Sequence, residues 1–176
     1  MKFLKTLLIV IVALIIIFFA GALFLPKTYS VARSVNINAP DSVVYKNVSD
    51  LNLFKKWMPW LKMEPTAKVE ISGEPSSPGH SYHWVGDKTG EGIMSIKQVV
   101  PYSHVDYDLK FIKPFESDCN SQFTIESSGG TVDVTWTMSG ENKTTMEKWM
   151  SLNFDNMIGK DFESGLKDLK KLSEKQ

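Results

Sequence analysis

The chain has 176 residues, enough for one domain and a short extension. Its 20 basic and 20 acidic side chains give a formal net charge of zero. This balance argues against a nucleic-acid-binding protein, because such proteins carry a basic excess or a basic stripe. A single cysteine, Cys119, excludes an internal disulfide and a thiolate zinc cluster.

The first 26 residues form an apolar leader, in which 21 residues are apolar. Residues 6–25 contain no charged side chain. As a helix rising about 1.5 Å per residue, this segment is about 30 Å long, the thickness of the hydrocarbon core of a bilayer. We therefore expect a transmembrane anchor over residues 1–26 and a separate domain over residues 27–176.

A cleaved signal peptide is the alternative interpretation, because Ala20, Gly21 and Ala22 are small residues at the right spacing after the apolar run. Lys2 and Lys5 precede the run, and positive charges hold a terminus in the cytoplasm. Both interpretations therefore place the domain on the periplasmic or extracellular side. The anchor would make the protein a single-pass protein of the cytoplasmic membrane, held there by residues 6–25.

The rest of the chain predicts a strand, two short helices, six strands and one long helix. The first strand covers residues 28–38, a short helix ends near residue 48, and a second short helix runs from about residue 50 to Trp57 and is stopped by Pro59. A period of two then predicts strands near 66–73, 80–86, 91–100, 103–112, 117–127 and 131–139. A helical period follows over residues 144–173.

Alternation along the strands predicts an antiparallel sheet with one dry face. In the last strand Val132, Val134, Trp136 and Met138 alternate with polar residues, as in a sheet that is packed on one side and solvated on the other. The long helix is the element large enough to cover the dry face. Its apolar stripe consists of Met146, Met150, Phe154, Met157, Ile158, Phe162, Leu166 and Leu169.

The sequence gives only weak evidence for catalytic or metal-binding groups. His80 and His83 lie three apart on a strand, so they point to opposite faces and are expected to be solvated. His104, Asp106 and Asp108 share a face, but it is the wet face of their strand. We therefore predict no metal site and no cofactor.

Two further motifs also have structural explanations. The sequence Asp-Lys-Thr-Gly at residues 87–90 matches a tetrapeptide of phosphorylated ion pumps, but here it joins two short strands and predicts a hairpin turn. No serine lies in a Gly-x-Ser-x-Gly elbow, and spacing suggests no Cys–His pair.

Six segments, in this order, resemble the membrane-anchored bacterial proteins of the polyketide cyclase/dehydrase (SRPBCC) family, within the START and Bet v 1-like superfamily. They are YSVARSVNINAP at 29–40, WMPW at 57–60, GEGIM at 90–94, FIKPFES at 111–117, TWTMSG at 135–140 and IGKDFESGL at 158–166. The resemblance implies an α+β helix-grip fold, in which a seven-stranded antiparallel sheet wraps round the long C-terminal helix.

The resemblance also implies a cavity between sheet and helix that takes a hydrophobic small molecule. Aromatic and methionine side chains on the expected dry face are the candidate ligand-binding residues, although plain core packing would use the same residue types. The candidates are Trp60, Trp84, Met94, Tyr107, Phe111, Phe123, Trp136, Met138, Met150 and Phe154.

The function expected from these observations is a membrane-tethered, monomeric binding module for a hydrophobic or amphipathic, lipid-like molecule, with no covalent catalysis. A cyclase or dehydratase acting in the same cavity is the first alternative, and it requires a titratable side chain inside the cavity. An envelope protein-interaction domain is the second alternative, and it would need an exposed apolar patch near the cavity mouth.

Overall fold

A computed structural model describes residues 2–176 of the protein. The helices are α1 Lys2–Ala22, α2 Asp41–Ser49, α3 Leu51–Phe54, α4 Pro59–Met63, α5 Thr145–Ser151 and α6 Phe154–Ser173. The strands are β1 Thr28–Ile37, β2 Lys68–Ser72, β3 Ser81–Gly86, β4 Gly90–Val100, β5 His104–Lys113, β6 Ser117–Ser128 and β7 Thr131–Glu141.

The seven strands form one antiparallel sheet in the order β1-β7-β6-β5-β4-β3-β2. Together with the C-terminal helix, this sheet confirms the predicted α+β helix-grip fold. Short hairpins join β2 through β7, so neighbours in sequence are neighbours in the sheet. The predicted dry face is also confirmed, because Val132, Val134, Trp136 and Met138 are all buried.

Helix α6 lies on the dry face and runs beside β1 in the same direction. Near its start Phe154 packs edge-on against Tyr29 at 4.9 Å between ring centres, and near its end Lys170 donates to the backbone oxygen of Asn36 at 2.7 Å. Between these contacts Arg33 of β1 donates to Glu163 of α6 at 2.7 Å. The start of β1 and the start of α6 therefore lie at the same end of the sheet.

The prediction of one helix over residues 144–173 is wrong, because the chain breaks between α5 and α6 at Leu152 and Asn153. Helix α5 has its own capping box, formed by Thr144 and Glu147. Met146 and Met150 of α5 do not join the buried stripe and are 59% and 48% exposed. Met157, in the first turn of α6, is also exposed.

The prediction that Pro59 stops a helix is also wrong, because Pro59 is the first residue of α4. Proline is well suited to a first helical position, since the N–H that it lacks would have no partner there. The second predicted helix is instead the single turn α3, which ends at Phe54. The two turns together hold Trp57, Met58 and Pro59 in the core.

The prediction that His80 is solvated is wrong, because its side chain is only 1% exposed. Its Nε2 accepts from the Leu51 backbone N–H at 3.0 Å, and its Nδ1 lies 2.9 Å from the Ser72 carbonyl oxygen. These partners assign the proton to Nδ1, because a carbonyl oxygen can only accept. His80 thus joins α3 to the end of β2, a tertiary contact that strand alternation does not reveal. Asp106 and Asp108 lie on the outer face of β5, as predicted.

Helix α1 is long and apolar enough to cross a membrane, although a signal sequence would have the same length and composition. Its C-terminal end packs against α5. The indole of Trp149 stacks on Phe18 at 5.8 Å between ring centres and donates to the Phe18 carbonyl oxygen at 3.2 Å. Lys148 donates to the carbonyl oxygen of Ala22, the last residue of α1, at 3.2 Å.

Candidate ligand-binding cavity

A cavity of about 360 Å³ lies between the inner face of the sheet and the helices α4 and α6. This volume is within the range of small-molecule sites. Its apolar lining is Met58, Trp60, Leu61, Met63, Ala67, Tyr82, Trp84, Met94, Leu109, Phe111, Trp136, Met138, Met157, Ile158 and Phe162, and its polar lining is Lys88, Thr89, Ser121 and Asp161.

Six of the ten predicted ligand-binding residues line this cavity. They are Trp60, Trp84, Met94, Phe111, Trp136 and Met138. Five of them come from strands whose alternation predicts an inward side chain.

The other four predicted residues lie elsewhere. Tyr107 and Phe123 are fully buried in solid core, and Tyr107 donates to the Val48 carbonyl oxygen at 2.7 Å. Phe154 packs against Tyr29, and Met150 is exposed on α5. Alternation correctly turns Tyr107 and Phe123 inward, but it does not show which part of the dry face another element fills.

The short helices α2 and α3 divide the dry face into a filled half and an open half. Phe54 of α3 sits 6.3 Å from Tyr107 and 6.0 Å from Phe123 between ring centres, and Trp57 lies 5.8 Å from Phe123. These rings fill the half of the sheet under α2 and α3. The remaining half, under α4 and α6, contains the cavity.

Three tryptophans line the cavity, and each indole N–H already has a protein acceptor. Trp60 donates to Asp161 Oδ2 at 3.0 Å, Trp84 to the Thr89 carbonyl oxygen at 3.2 Å, and Trp136 to Ser121 Oγ at 2.9 Å. Because a buried indole usually needs such a partner, these bonds fix the ring orientations. The rings then present mainly carbon to the cavity.

A few polar groups remain within the lining. Ser121 is 4% exposed, and its hydroxyl can donate while it accepts from Trp136. Burial raises the pKa of Tyr82, so its hydroxyl stays protonated and able to donate. Asp161 is the carboxylate in the lining, and Lys88 and Thr89 lie at the β3–β4 hairpin. Asp161, Lys88, Leu61 and Ala67 also line the cavity, although no sequence pattern identified them.

Glu64 follows α4 and fixes the β3–β4 hairpin beside the cavity. Its carboxylate accepts from the backbone N–H groups of Asp87, Lys88 and Thr89 at 2.7–3.1 Å, and from the Thr89 hydroxyl at 2.7 Å. The Thr89 hydroxyl bond, with the backbone bonds, lowers the pKa of Glu64 to about 2. The hairpin predicted at residues 87–90 is thus confirmed, and its amides bind a carboxylate of the same chain.

Two glycines allow the aromatic lining to pack closely. Gly92 lies opposite Trp84 in the strand register, and a Cβ there would overlap the far edge of the indole. Gly165 lets α6 approach Trp136, since a Cβ would lie 3.0 Å from that ring. Trp136 also stacks on Phe162 at 3.9 Å between ring centres.

The described residues offer little for covalent or metal chemistry. Burial raises the pKa of Cys119 to about 11, so its thiol stays protonated and is a poor nucleophile. Within residues 2–176, no group of three or more His, Cys, Asp or Glu side chains is placed to hold a metal ion. The cavity is therefore an apolar compartment with a few hydrogen-bonding groups.

Solved structures of the same fold exist for several proteins of low sequence identity. A protein from Chromobacterium violaceum has a TM-score of 0.60 at 17% identity, over 85% of this chain and 98% of its own. The Aha1 dimer from Colwellia psychrerythraea has a TM-score of 0.58 at 16% identity, over 82% and 96%. DynU16, from the dynemicin biosynthetic locus, has a TM-score of 0.58 at 15% identity, over 81% of this chain and 46% of its own.

At these identities the structures establish the fold alone. No protein of curated function matches this sequence. The family described as polyketide cyclase / dehydrase and lipid transport matches residues 28–174, from the first strand to the end of α6. The chain therefore belongs to the polyketide cyclase/dehydrase and lipid transport family.

Proposed function

We propose that this protein is a membrane-tethered module that binds a hydrophobic or amphipathic small molecule in the cavity under α4 and α6. The observation that carries the proposal is the arrangement of Trp60, Trp84 and Trp136. Their N–H groups are bonded to the protein, so the rings offer carbon surface to a ligand. Apolar surface is the main source of affinity for such a ligand.

The polar groups of the lining suggest an amphipathic ligand over a pure hydrocarbon. Ser121 and Tyr82 lie inside, whereas Lys88 and Thr89 lie on the hairpin. A few fixed polar groups in an apolar cavity orient a ligand without supplying most of its affinity. A single long apolar chain with one polar end would suit this distribution.

Filling the cavity tests the proposal. Ala67 lines the cavity and is half-buried, so Ala67→Phe should occupy part of it without disturbing the sheet. Ala32→Phe, on the exposed face of β1, is the matched control. We expect native mass spectrometry of the full chain, purified from its native host, to detect a bound lipid-like molecule in the wild type and in Ala32→Phe.

The same measurement should show several-fold lower occupancy in Ala67→Phe. Equal occupancy in both variants would place the ligand outside the cavity. The absence of any bound molecule from all three proteins, together with no uptake of an added fluorescent fatty acid, would contradict the binding proposal.

We also propose that α1 remains attached and spans the cytoplasmic membrane, with residues 27–176 outside the cytoplasm. Lys2 and Lys5 precede the apolar run, which favours a cytoplasmic N-terminus. The stacking of Trp149 on Phe18 supports retention of α1, since cleavage after Ala22 would remove the partner of Trp149. A reporter that is active only outside the cytoplasm should therefore work when fused after Gln176. Activity of a cytoplasmic reporter at that position would show that the domain lies in the cytoplasm.

Asp161 is the observation that favours an enzyme as the second candidate. Its carboxylate lines the cavity, within reach of a bound molecule, and a general acid or base needs that position. Conversion of the bound molecule by the wild type but not by Asp161→Asn, with binding kept in both, would support catalysis. Unchanged ligand mass in both proteins would favour binding alone.

A further inference from the structure

The cavity occupies one end of the sheet. Trp84 and Phe111 lie near the ends of β3 and β5, and Met138 lies near the end of β7. The antiparallel register puts these strand ends at the same end of the sheet as the first residue of β1, and Thr28 itself pairs with Glu141 at the end of β7. Met157, in the first turn of α6, completes the lining at the same end.

Helix α1 is fixed to that same end. Asn142 donates from its side chain to the Pro26 carbonyl oxygen at 3.0 Å and from its backbone to the Lys27 carbonyl oxygen at 2.8 Å. Trp149 and Lys148 hold the last turn of α1 through Phe18 and Ala22. The link between α1 and the domain is thus a packed joint and not a free tether.

Exposed apolar side chains gather at this end as well. Those outside α1 are Leu23, Phe24, Met63, Val85, Phe115, Met146, Met150, Leu152 and Met157. Among the described large apolar side chains that are exposed, Val100 and Tyr102 lie at the opposite end, at the β4–β5 turn. Met63 and Met157 belong both to this exposed set and to the cavity lining.

We propose that this end of the domain docks on the bilayer that α1 spans, with α5 lying in the membrane interface and the cavity mouth opening onto the facing leaflet. The inference rests on the proposed role of α1 as a span. It goes beyond tethering, because a flexible tether would leave the cavity free to face any direction.

The position of Trp149 supports a lipid surface as the occupant. Phe18 lies four residues before the end of α1, about 6 Å along the axis at 1.5 Å per residue, so the indole stacked on it lies at the depth of the last helical turn. Tryptophan is enriched at this depth, where one side of the ring is apolar and the N–H can bond. Met146 and Met150 are four residues apart and share one face of α5, and Met146 lies three residues before Trp149. The proposed docking therefore puts both methionines close to the membrane interface.

This placement gives an amphipathic ligand a route that avoids water. An apolar chain could pass from the leaflet between Met63 and Met157 into the cavity, while its polar end stays near Lys88 at the interface. On this route the methylenes of the chain stay out of water, whereas an aqueous path would expose them. The ligand would therefore be drawn from the membrane lipids themselves.

Lipid-borne quenching of site-specific labels tests the docking. Single cysteines replace Met146, Met150 or Met157 in the full chain carrying Cys119→Ser, with Tyr102→Cys as the control at the opposite end. Tyr102 is 52% exposed, comparable with Met150 at 48%. The labelled proteins are reconstituted in phosphatidylcholine and phosphatidylglycerol vesicles with brominated acyl chains.

We expect quenching by brominated lipid to be several-fold stronger at the three methionine positions than at Tyr102, and quenching by aqueous iodide to show the reverse. Labels that behave like the Tyr102 label would overturn the docking. Labels shielded from both quenchers would overturn it in favour of a protein partner. Extraction of the vesicles with alkaline carbonate distinguishes failure of the proposed α1 span from failure of the proposed docking. A chain that is extracted has no membrane span. A chain that is retained but has water-exposed labels spans the membrane without docking its domain.

A charge placed at the interface provides a second measurement. Met150→Glu should leave the domain folded, since the side chain is exposed, but it should weaken lipid-borne quenching at Met146→Cys several-fold. Tyr102→Glu should have no such effect. Equal quenching in the two charged variants would contradict the placement of α5 in the interface.

Discussion

Glu64 joins two parts of the cavity wall that are distant in sequence. It stands at the C-terminal end of α4, and its carboxylate accepts three backbone N–H bonds and one hydroxyl bond from residues 87–89. Without this acceptor the three turn N–H groups would need water as a partner, yet Glu64 is only 5% exposed to solvent. The charged form of Glu64 is the form that these donors stabilise.

We expect Glu64→Gln to destabilise the domain at pH 7, because an amide accepts with one oxygen and brings unwanted donors to the turn. The pKa of Glu64 falls from 4.5 to about 2 on folding, so its contribution is present above about pH 4.5 and is lost as the pH falls through 2. Urea unfolding should therefore show a gap between wild type and variant at pH 7 that narrows towards pH 2. Glu74→Gln, at an exposed turn, is the control and should show no such gap.

Gly92 is required by the indole that lies across it. A methyl group there would meet the far edge of Trp84, and it would also stand 2.7 Å from the Lys110 carbonyl oxygen. We expect Gly92→Ala to cost about 1–3 kcal/mol in the free energy of unfolding, as overpacking does. The cost should be smaller in a Trp84→Phe background, which lacks the overlapping ring atoms. Equal costs in both backgrounds would attribute the effect to the backbone contact alone.

At the scale of elements, α6 is held to β1 by an unusual inward arginine. Arg33 lies two residues from both Val31 and Val35 in β1, so its side chain is on the same face of the strand as theirs and points to the helix. Its guanidinium donates to Asp155 at 2.8 Å and to Glu163 at 2.7 Å, and it lies directly over Gly159. These bonds lower the pKa of Asp155 and raise that of Arg33, so the ion pairs persist across the neutral range.

The contact makes the effect of Gly159→Ala depend on Arg33. Alanine favours a helix over glycine by about 1 kcal/mol. In the wild type we expect most of this gain to be lost, because the new methyl group displaces the guanidinium. In an Arg33→Ala background the gain should appear in full, which urea unfolding of the four proteins in a double-mutant cycle would measure. Equal gains in both backgrounds would mean that the guanidinium moves aside freely.

At the scale of the whole molecule, the domain and α1 meet through few side chains. The joint consists mainly of Trp149 and Lys148 on α5 and of Asn142 after β7, whereas the sheet and α6 close on each other without α1. Buried apolar surface of the core lies almost entirely in residues 31–169. Stability of the domain should therefore not depend on α1.

We expect the fragment 27–176 to fold, with a cooperative unfolding transition and the circular dichroism of a sheet protein. Without α1 it should expose Trp149 beside Met146 and Met150, and so bind vesicles through this face. Vesicle flotation should show that Trp149→Ser lowers this binding relative to Tyr102→Ser. A fragment without a cooperative transition would show instead that α1 is part of the folding unit.

The inward set of the strands was predictable because a period of two separates faces without reference to other elements. Trp84, Phe111, Trp136 and Met138 were identified in this way, and all four line the cavity. His80 was not predictable, since its two hydrogen bonds depend on where α3 and β2 come to lie.

The lining of the cavity was likewise predictable only in part. Alternation gives Tyr107 and Phe123 the same direction as Trp136, but Phe54 fills the space above the first two. The lining residues outside the strands, such as Ala67 and Asp161, carry no periodic signal that distinguishes them from surface residues. Their place follows from the packing of α4 and α6.

The apolar leader, the antiparallel sheet, its dry face and an amphipathic helix to cover it were all predictable, because each depends on the local spacing of apolar side chains. Three features became visible only in the folded protein. The C-terminal helix breaks at Leu152, α5 packs on α1, and the cavity lies at the same end of the sheet as the leader. The packing of α5 on α1 depends on contacts between residues more than 100 positions apart, such as Trp149 with Phe18. No local pattern encodes such a contact, since both partners also read as ordinary apolar residues of their own helices.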